Sequence, residues 1–162
     1  MPAPPTPGRN PFDHPIGGTR ERALTAMATN LRKIPGTTNV RFESSGTGVD
    51  EELVGELDPN IYGDGILGVA AATVTLNWWP QPDSDAYWYR IHYHDSSGFD
   101  CGWHRHENDH VDGLDHYQER DLPDEDYVYY PFEPEYTNPI GLVWEIVDGR
   151  LSTRLEMRYG EG

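Results

Sequence analysis

The chain has 162 residues, 28 acidic against 12 basic side chains, a net charge of −16 and a hydrophobic content of 36%. It contains no run of about 18 apolar residues, which excludes a membrane-spanning helix, and it does not open on the apolar core of a secretion signal. A single cysteine, Cys101, excludes an intrachain disulfide and a four-cysteine zinc site, so we expect a cytoplasmic protein.

The basic residues are almost all arginine, since Lys33 is the one lysine among the twelve. An acidic surface nearly free of lysine is typical of proteins from extreme halophiles. Molar salt shortens the Debye length to about 3 Å and screens the repulsion between carboxylates. The alternatives are an ordinary acidic protein and one that binds a basic partner. An acidic surface argues against nucleic-acid binding at low salt. In a halophile an acidic surface is general, so it does not argue against nucleic-acid binding there.

The first 18 residues contain six prolines and three glycines. This composition predicts a flexible arm over residues 1–18, followed by a single α+β domain over residues 19–162. Thr19 can cap a helix that ends at Pro35-Gly36. The apolar face of this helix has the spacing i, i+3, i+4, i+7 and consists of Leu24, Met27, Ala28 and Leu31.

Alternation of apolar and polar residues predicts strands over residues 39–43, 66–79, 86–95, 99–106, 114–120 and 127–132, with a short element of unassigned type near residues 51–57. Asn138-Pro139 opens a C-terminal helix, which Asp148-Gly149 ends. Residues 151–159 alternate as a last strand, with a continued helix as the alternative. The predicted fold class is α+β: an antiparallel β-sheet with an N-terminal and a C-terminal helix packed on one face.

Six of the seven histidines lie between residues 92 and 116. A three-residue turn ending in Gly98 would pair Asp95 with Phe99, whereas a two-residue turn would reverse every side chain of one strand. The three-residue register is preferred because it separates aromatic residues from histidines. It places on one polar face Trp88, Arg90, His92, His94, Asp100, His104 and His106.

Three functions are open to this face. It can bind a divalent transition metal, such as zinc, manganese, iron or nickel, because imidazole and carboxylate are common ligands of these ions. It can perform metal-free acid–base chemistry, with His104 or His106 as acid or base and Arg90 stabilising negative charge. It can also be a polar surface without chemistry. The candidate metal ligands are His92, His94, His104, His106 and His110.

Gly98, followed after five residues by His104-Arg105-His106, resembles the opening of the first cupin motif, which implies a metal-binding protein. That motif continues with a glutamate where this sequence has His110 or Val111, and the second cupin motif is absent.

Residues 71–147 resemble the TumE-like toxins of toxin–antitoxin modules in their long strand, histidine-rich hairpin, Asp-His segment and C-terminal helix. This resemblance implies a ribonuclease that acts on RNA and is neutralised by a helix-turn-helix antitoxin. It implies functional positions at His104, His106, Asp115 and His116. The family typically has a further histidine where this sequence has Gln118. A third hypothesis is a non-enzymatic protein whose acidic surface binds a basic partner.

Overall fold

The computed structural model describes residues 19–44, 51–81 and 86–160. A helix, α1 (Thr19–Leu31), precedes seven strands that form one antiparallel sheet, in which each strand pairs with the next along the chain. The strands are β1 (Thr37–Ser44), β2 (Glu51–Leu57), β3 (Ala72–Pro80), β4 (Tyr87–Asp95), β5 (Asp100–Arg105), β6 (Asp115–Arg120) and β7 (Val128–Pro131). The predicted α+β class is confirmed, and the arm predicted over residues 1–18 lies outside the described residues.

The helices cover one face of this sheet. Side chains on a strand alternate between its two faces, so the apolar positions of the central strands all point to the same side. The apolar stripe of α1 is buried against them, as the sequence predicts. The core between the layers includes Leu24, Met27, Leu31, Val74, Leu76, Tyr89, Ile91, Tyr93, Phe99 and Trp103. The other face of the sheet is left to polar residues and to the loops between the last strands.

The C-terminal helix begins as predicted at Pro139, where the Asn138 side chain accepts a hydrogen bond of 2.7 Å from the backbone N–H of Gly141. The helix consists of an α-helical turn (α2, Pro139–Leu142), a π-helical stretch (Val143–Leu151) and a second α-helical part (α3, Ser152–Tyr159). The predicted end at Asp148-Gly149 and the predicted strand over residues 151–159 are therefore wrong.

Burial explains why this segment is helical. Val147, Leu151 and Leu155 are fully buried and lie four residues apart, the spacing of one stripe on a helix that contains wide π-helical turns. A strand would have placed Met157 on the same face as Leu155, yet 73% of Met157 is exposed. The helix also packs on α1, where the Trp144 indole N–H donates to the Asn30 side chain over 2.9 Å.

Two further boundaries differ from the sequence prediction. The segment of unassigned type is strand β2, and the strand expected to begin at residue 66 begins at Ala72. Leu67 is buried in the core ahead of that strand. Among the described helices, none has both the length and the apolar character of a membrane span.

The hairpin between β4 and β5 has the three-residue turn that the sequence predicts. The backbone N–H of Asp95 donates to the Phe99 carbonyl over 3.1 Å, and Gly98 has a φ of +100°, a conformation that favours glycine. Arg90 consequently lies opposite His104 on the neighbouring strand. This register fixes which side chains share the polar face.

Candidate metal centre

The polar face carries a row of side chains that runs across three adjacent strands. Arg90 of β4 pairs with His104 of β5, which in turn pairs with His116 of β6. Directly opposed residues in an antiparallel sheet have Cβ atoms about 5 Å apart, so the three side chains are neighbours. The sequence predicts the first pairing from the hairpin, while the second depends on how β6 aligns with β5.

Three histidines converge at one end of this row. His104, His106 and His116 each present a ring nitrogen, and these three nitrogens lie within 4.8 Å of one another. We call these residues the histidine trio. His104 and His116 are only 6% and 1% exposed, whereas His106 is exposed. The trio is therefore embedded in the sheet on one side and open to solvent on the other.

Backbone carbonyls orient two rings of the trio. The Nδ1 atom of His106 lies 2.8 Å from the Glu107 carbonyl oxygen, and that of His116 lies 3.3 Å from the Leu114 carbonyl oxygen. Because a carbonyl only accepts hydrogen bonds, each Nδ1 carries the hydrogen, and each Nε2 has a free lone pair. The Nε2 atom of His116 is buried and has no hydrogen-bond partner among the described residues.

Asn108 is consistent with this tautomer of His116. Its side-chain nitrogen lies 3.4 Å from Nδ1 of His116 and would donate a hydrogen bond to that atom if it had a free hydrogen. Both of its hydrogens are directed elsewhere, to the carbonyl oxygens of His106 and Gly113 at 3.1 and 3.3 Å. The His116 Nδ1–H therefore donates to Leu114, and the lone pair remains on Nε2.

The third ring is oriented by a chain of side chains. Asp100 accepts a hydrogen bond of 2.9 Å from Nε2 of His92, so Nδ1 of His92 carries the lone pair. That atom lies 3.3 Å from Nε2 of His104, which must then donate and leave the lone pair of His104 on Nδ1. The second oxygen of Asp100 accepts from Nε of Arg120 over 2.7 Å. We call Asp100, His92 and His104 the relay.

Burial determines the charges in the site. Burial, together with the positive charges of its neighbours, lowers the pKa of His104 to about 2. Burial also lowers the pKa values of His92 and His116. For Asp100 burial acts to raise the pKa, but hydrogen bonds from His92, Tyr127 and Arg120 outweigh it and hold the pKa well below its usual range. These three imidazoles are neutral at pH 7 and the carboxylate is ionised.

No family model, curated protein or solved structure matches this chain. The resemblances to cupins and to TumE-like toxins therefore stay predictions from the sequence.

The remaining candidate residues from the sequence lie outside the trio. His94 is exposed and pairs with Asp100, at the other end of the face. The ring of His110 stacks on Tyr129 with a centroid distance of 3.6 Å. Cys101 is buried in the core, as expected.

The side chains of Asp115 and His116 lie on opposite faces of the sheet, because adjacent residues on a strand point to opposite faces. Its carboxylate lies 2.6 Å from a guanidinium nitrogen of Arg105 and accepts a hydrogen bond of 3.0 Å from the Tyr89 hydroxyl. Asp115 therefore binds residues of the opposite face and does not join the trio.

Gly102 is a part of the site that the sequence reasoning missed. It lies between Asp100 and His104 on β5, and a Cβ atom built there would be 2.7 Å from Nε2 of His104 and closer still to Nδ1 of His92. The missing side chain thus provides the space in which the two rings meet. A glycine inside a predicted strand often marks such a close approach, and this was the available signal.

Proposed function

We propose that this protein binds one divalent transition-metal ion through His104, His106 and His116. The observation that carries the proposal is the convergence of three imidazoles whose hydrogen bonds leave one lone pair on each ring. Metal-binding histidines in proteins typically donate their other ring N–H to a carbonyl or a carboxylate, which fixes the tautomer. Here the rings of His106 and His116 donate to backbone carbonyls, and the ring of His104 donates to His92.

The ligand set favours particular ions. Three imidazole ligands suit zinc, iron, nickel and copper, whereas manganese prefers carboxylate and water oxygens. Ligand nitrogens at ~2.05 Å from a tetrahedral ion are ~3.4 Å apart. Nitrogens spread over up to 4.8 Å would therefore have to move inward by about 1 Å when an ion binds. Zinc is the reference ion for the experiments below.

Three protein ligands leave a coordination position open, which is the arrangement of catalytic rather than structural zinc sites. A water molecule at that position would reach the ion from the exposed side of His106. Bound zinc lowers the pKa of such a water to about 7 and so supplies hydroxide at neutral pH. We therefore propose that the centre is hydrolytic.

The burial of His104 and His116 also favours a metal over metal-free acid–base catalysis by these two residues. A metal-free ribonuclease mechanism needs one protonated histidine to act as the acid near pH 7. Burial lowers the pKa values of His104 and His116, so both imidazoles are neutral and unable to donate a proton in this way. Neutral imidazoles are the form that binds a metal.

The test is a titration of the tag-free, metal-stripped full chain with Co²⁺ and Zn²⁺ in high salt. We expect one equivalent of each ion to bind, and Co²⁺ to give the visible absorption of a four-coordinate site. His106→Gln should abolish this signal, while His94→Gln, a matched exposed histidine on the same face, should preserve it. Failure of the wild type to bind, or loss of binding in His94→Gln but not in His106→Gln, would refute the proposal.

A further inference from the structure

Arg90 is exceptional among the arginines near the sheet. Most of the described arginines form salt bridges with acidic side chains, namely Arg41, Arg105, Arg120, Arg150, Arg154 and Arg158. Arg90 is half-buried, yet its guanidinium has no hydrogen bond or salt bridge to any residue within 19–44, 51–81 and 86–160. In a chain with 28 acidic residues, a partner for this group would be easy to provide.

The Arg90 guanidinium is partly desolvated, but none of its nitrogens is fully buried without a partner, so water or an anion can reach them. Burial disfavours its charge and lowers the pKa of Arg90, although the carboxylates of Glu52 and Asp100 act in the opposite direction. A partly desolvated charge is usually retained only where a partner compensates it. Because the protein supplies no direct partner among the described residues, an external anion is the simplest one.

The position of Arg90 indicates where such an anion would lie. Arg90 is directly opposite His104, so its side chain stands beside the histidine trio on the same face. Its charge also acts on the relay, since it contributes to lowering the pKa values of both His92 and His104. Because Arg90 and His104 are directly opposed, an anion that touches the guanidinium would lie next to the His104 member of the trio.

We propose that the substrate of this site is a phosphate ester, whose phosphoryl oxygens bind between the metal ion and the Arg90 guanidinium. This inference rests on the proposed metal centre. A guanidinium presents N–H groups in a planar fork that matches two phosphoryl oxygens, and a metal ion binds a third. An ion held by the trio would supply hydroxide as the attacking group; a new P–O bond would form as the ester P–O bond breaks, and the leaving oxygen would take a proton from solvent, so water is the second reactant.

The net charge of −16 does not oppose this assignment at the site itself. Asp100 forms an ion pair with Arg120 at 2.7 Å, and the trio itself contributes no negative charge. A divalent ion beside Arg90 would add positive charge next to the carboxylates of Asp100 and Glu52. The acidic surface acts over a longer range and is screened by salt.

The experiment measures binding of inorganic phosphate to the zinc-loaded full chain by calorimetry, with acetate as the comparison anion. We expect phosphate to bind more tightly than acetate, and Arg90→Gln to weaken phosphate binding by about tenfold or more while zinc affinity is unchanged. Arg90→Lys keeps the charge but lacks the fork, so it should fall between the two. Arg41→Gln, on the distant strand β1, is the control and should behave as the wild type.

The outcomes separate this inference from the metal proposal. If zinc binds but phosphate does not, or if Arg90→Gln leaves phosphate affinity unchanged, the phosphoryl assignment is wrong and the metal centre stands. Acetate binding as tightly as phosphate would likewise overturn it. Competition by phenyl phosphate and by diphenyl phosphate then distinguishes a monoester site from one that accepts diesters, the linkage found in RNA.

Discussion

Replacing Gly102 by alanine is the sharpest test of how the site is built. The added Cβ would lie 2.7 Å from Nε2 of His104, whereas ordinary contacts of this kind are about 3.4 Å or longer. The ring of His104 must therefore move by at least about 0.7 Å, and that of His92 by more. Both rings are buried, so neither can swing into solvent without breaking its hydrogen bonds.

The size of the effect follows from two opposing terms. Overpacking a buried site costs roughly 1–3 kcal/mol, while alanine in place of a strand glycine stabilises the backbone by roughly 0.5–1 kcal/mol. We expect the metal-free variant to lose between about zero and about 2.5 kcal/mol of its free energy of unfolding. Metal binding should suffer more, because disturbing a group that orients a ligand typically lowers metal affinity by about 10- to 100-fold.

The assay is a competition titration of zinc against a chelator, together with urea unfolding of the metal-free proteins. Gly149→Ala is the matched control, since a Cβ there meets only the Trp144 carbonyl oxygen at 3.8 Å, an ordinary contact. The reasoning fails if Gly102→Ala binds zinc as tightly as the control does. It would then follow that the contact between His92 and His104 does not position the ligand.

Two further predictions concern the C-terminal helix. Gly149→Ala should raise the free energy of unfolding by roughly 0.5–1 kcal/mol in urea, because the residue is helical; a loss of stability would show that the helix is interrupted there. Arg154 donates hydrogen bonds of 2.7 and 2.8 Å to Glu119 and lowers the pKa of its carboxyl group. The free energy of unfolding of the wild type should therefore exceed that of Glu119→Gln by about 1–2 kcal/mol at pH 7. In metal-free urea titrations this difference should shrink as the pH falls below about 4.5, and a constant difference would contradict it.

The central sheet was predictable because two local signals agreed. Alternation located strands β3 to β6 to within a few residues, except for the early start assigned to β3. The glycine of the β4–β5 turn and the aromatic pattern selected the same register. Since a one-residue slip would exchange the two faces, a correct register fixed the positions of His92 and His104 together.

The end of the C-terminal helix was mispredicted because the apolar spacing beyond Gly149 is ambiguous. Leu151 and Leu155 are four residues apart, which fits both a strand of period two and a helix. Gly149 favours a helix end from sequence alone. Packing against α1 and the sheet decides otherwise, since a continuous helix buries Val147, Leu151 and Leu155 together. Such tertiary contacts are not visible in a local pattern.

The candidate site was predicted as a region but not as a ligand set. Two members follow from the hairpin: His104 lies on β5, and His106 comes directly after its end at Arg105. The third, His116, depends on the pairing of β6 with β5 across a loop of nine residues, 106–114, whose length leaves the register open. The sequence therefore grouped His94 and His110 with the trio, although their side chains lie elsewhere.

The register of β6 against β5 decides which of its side chains face the site, and therefore which chemistry the site can support. A shift of one residue would bring Asp115 onto the polar face beside His104 and turn His116 toward the core. A carboxylate in the ligand set would favour harder ions such as manganese, whereas the observed imidazole favours zinc, iron, nickel or copper. The observed register is stabilised from the other face, because Asp115 pairs with Arg105 and Tyr89 there. An ion pair on the core side thus determines which side chain the opposite face presents at the proposed metal site.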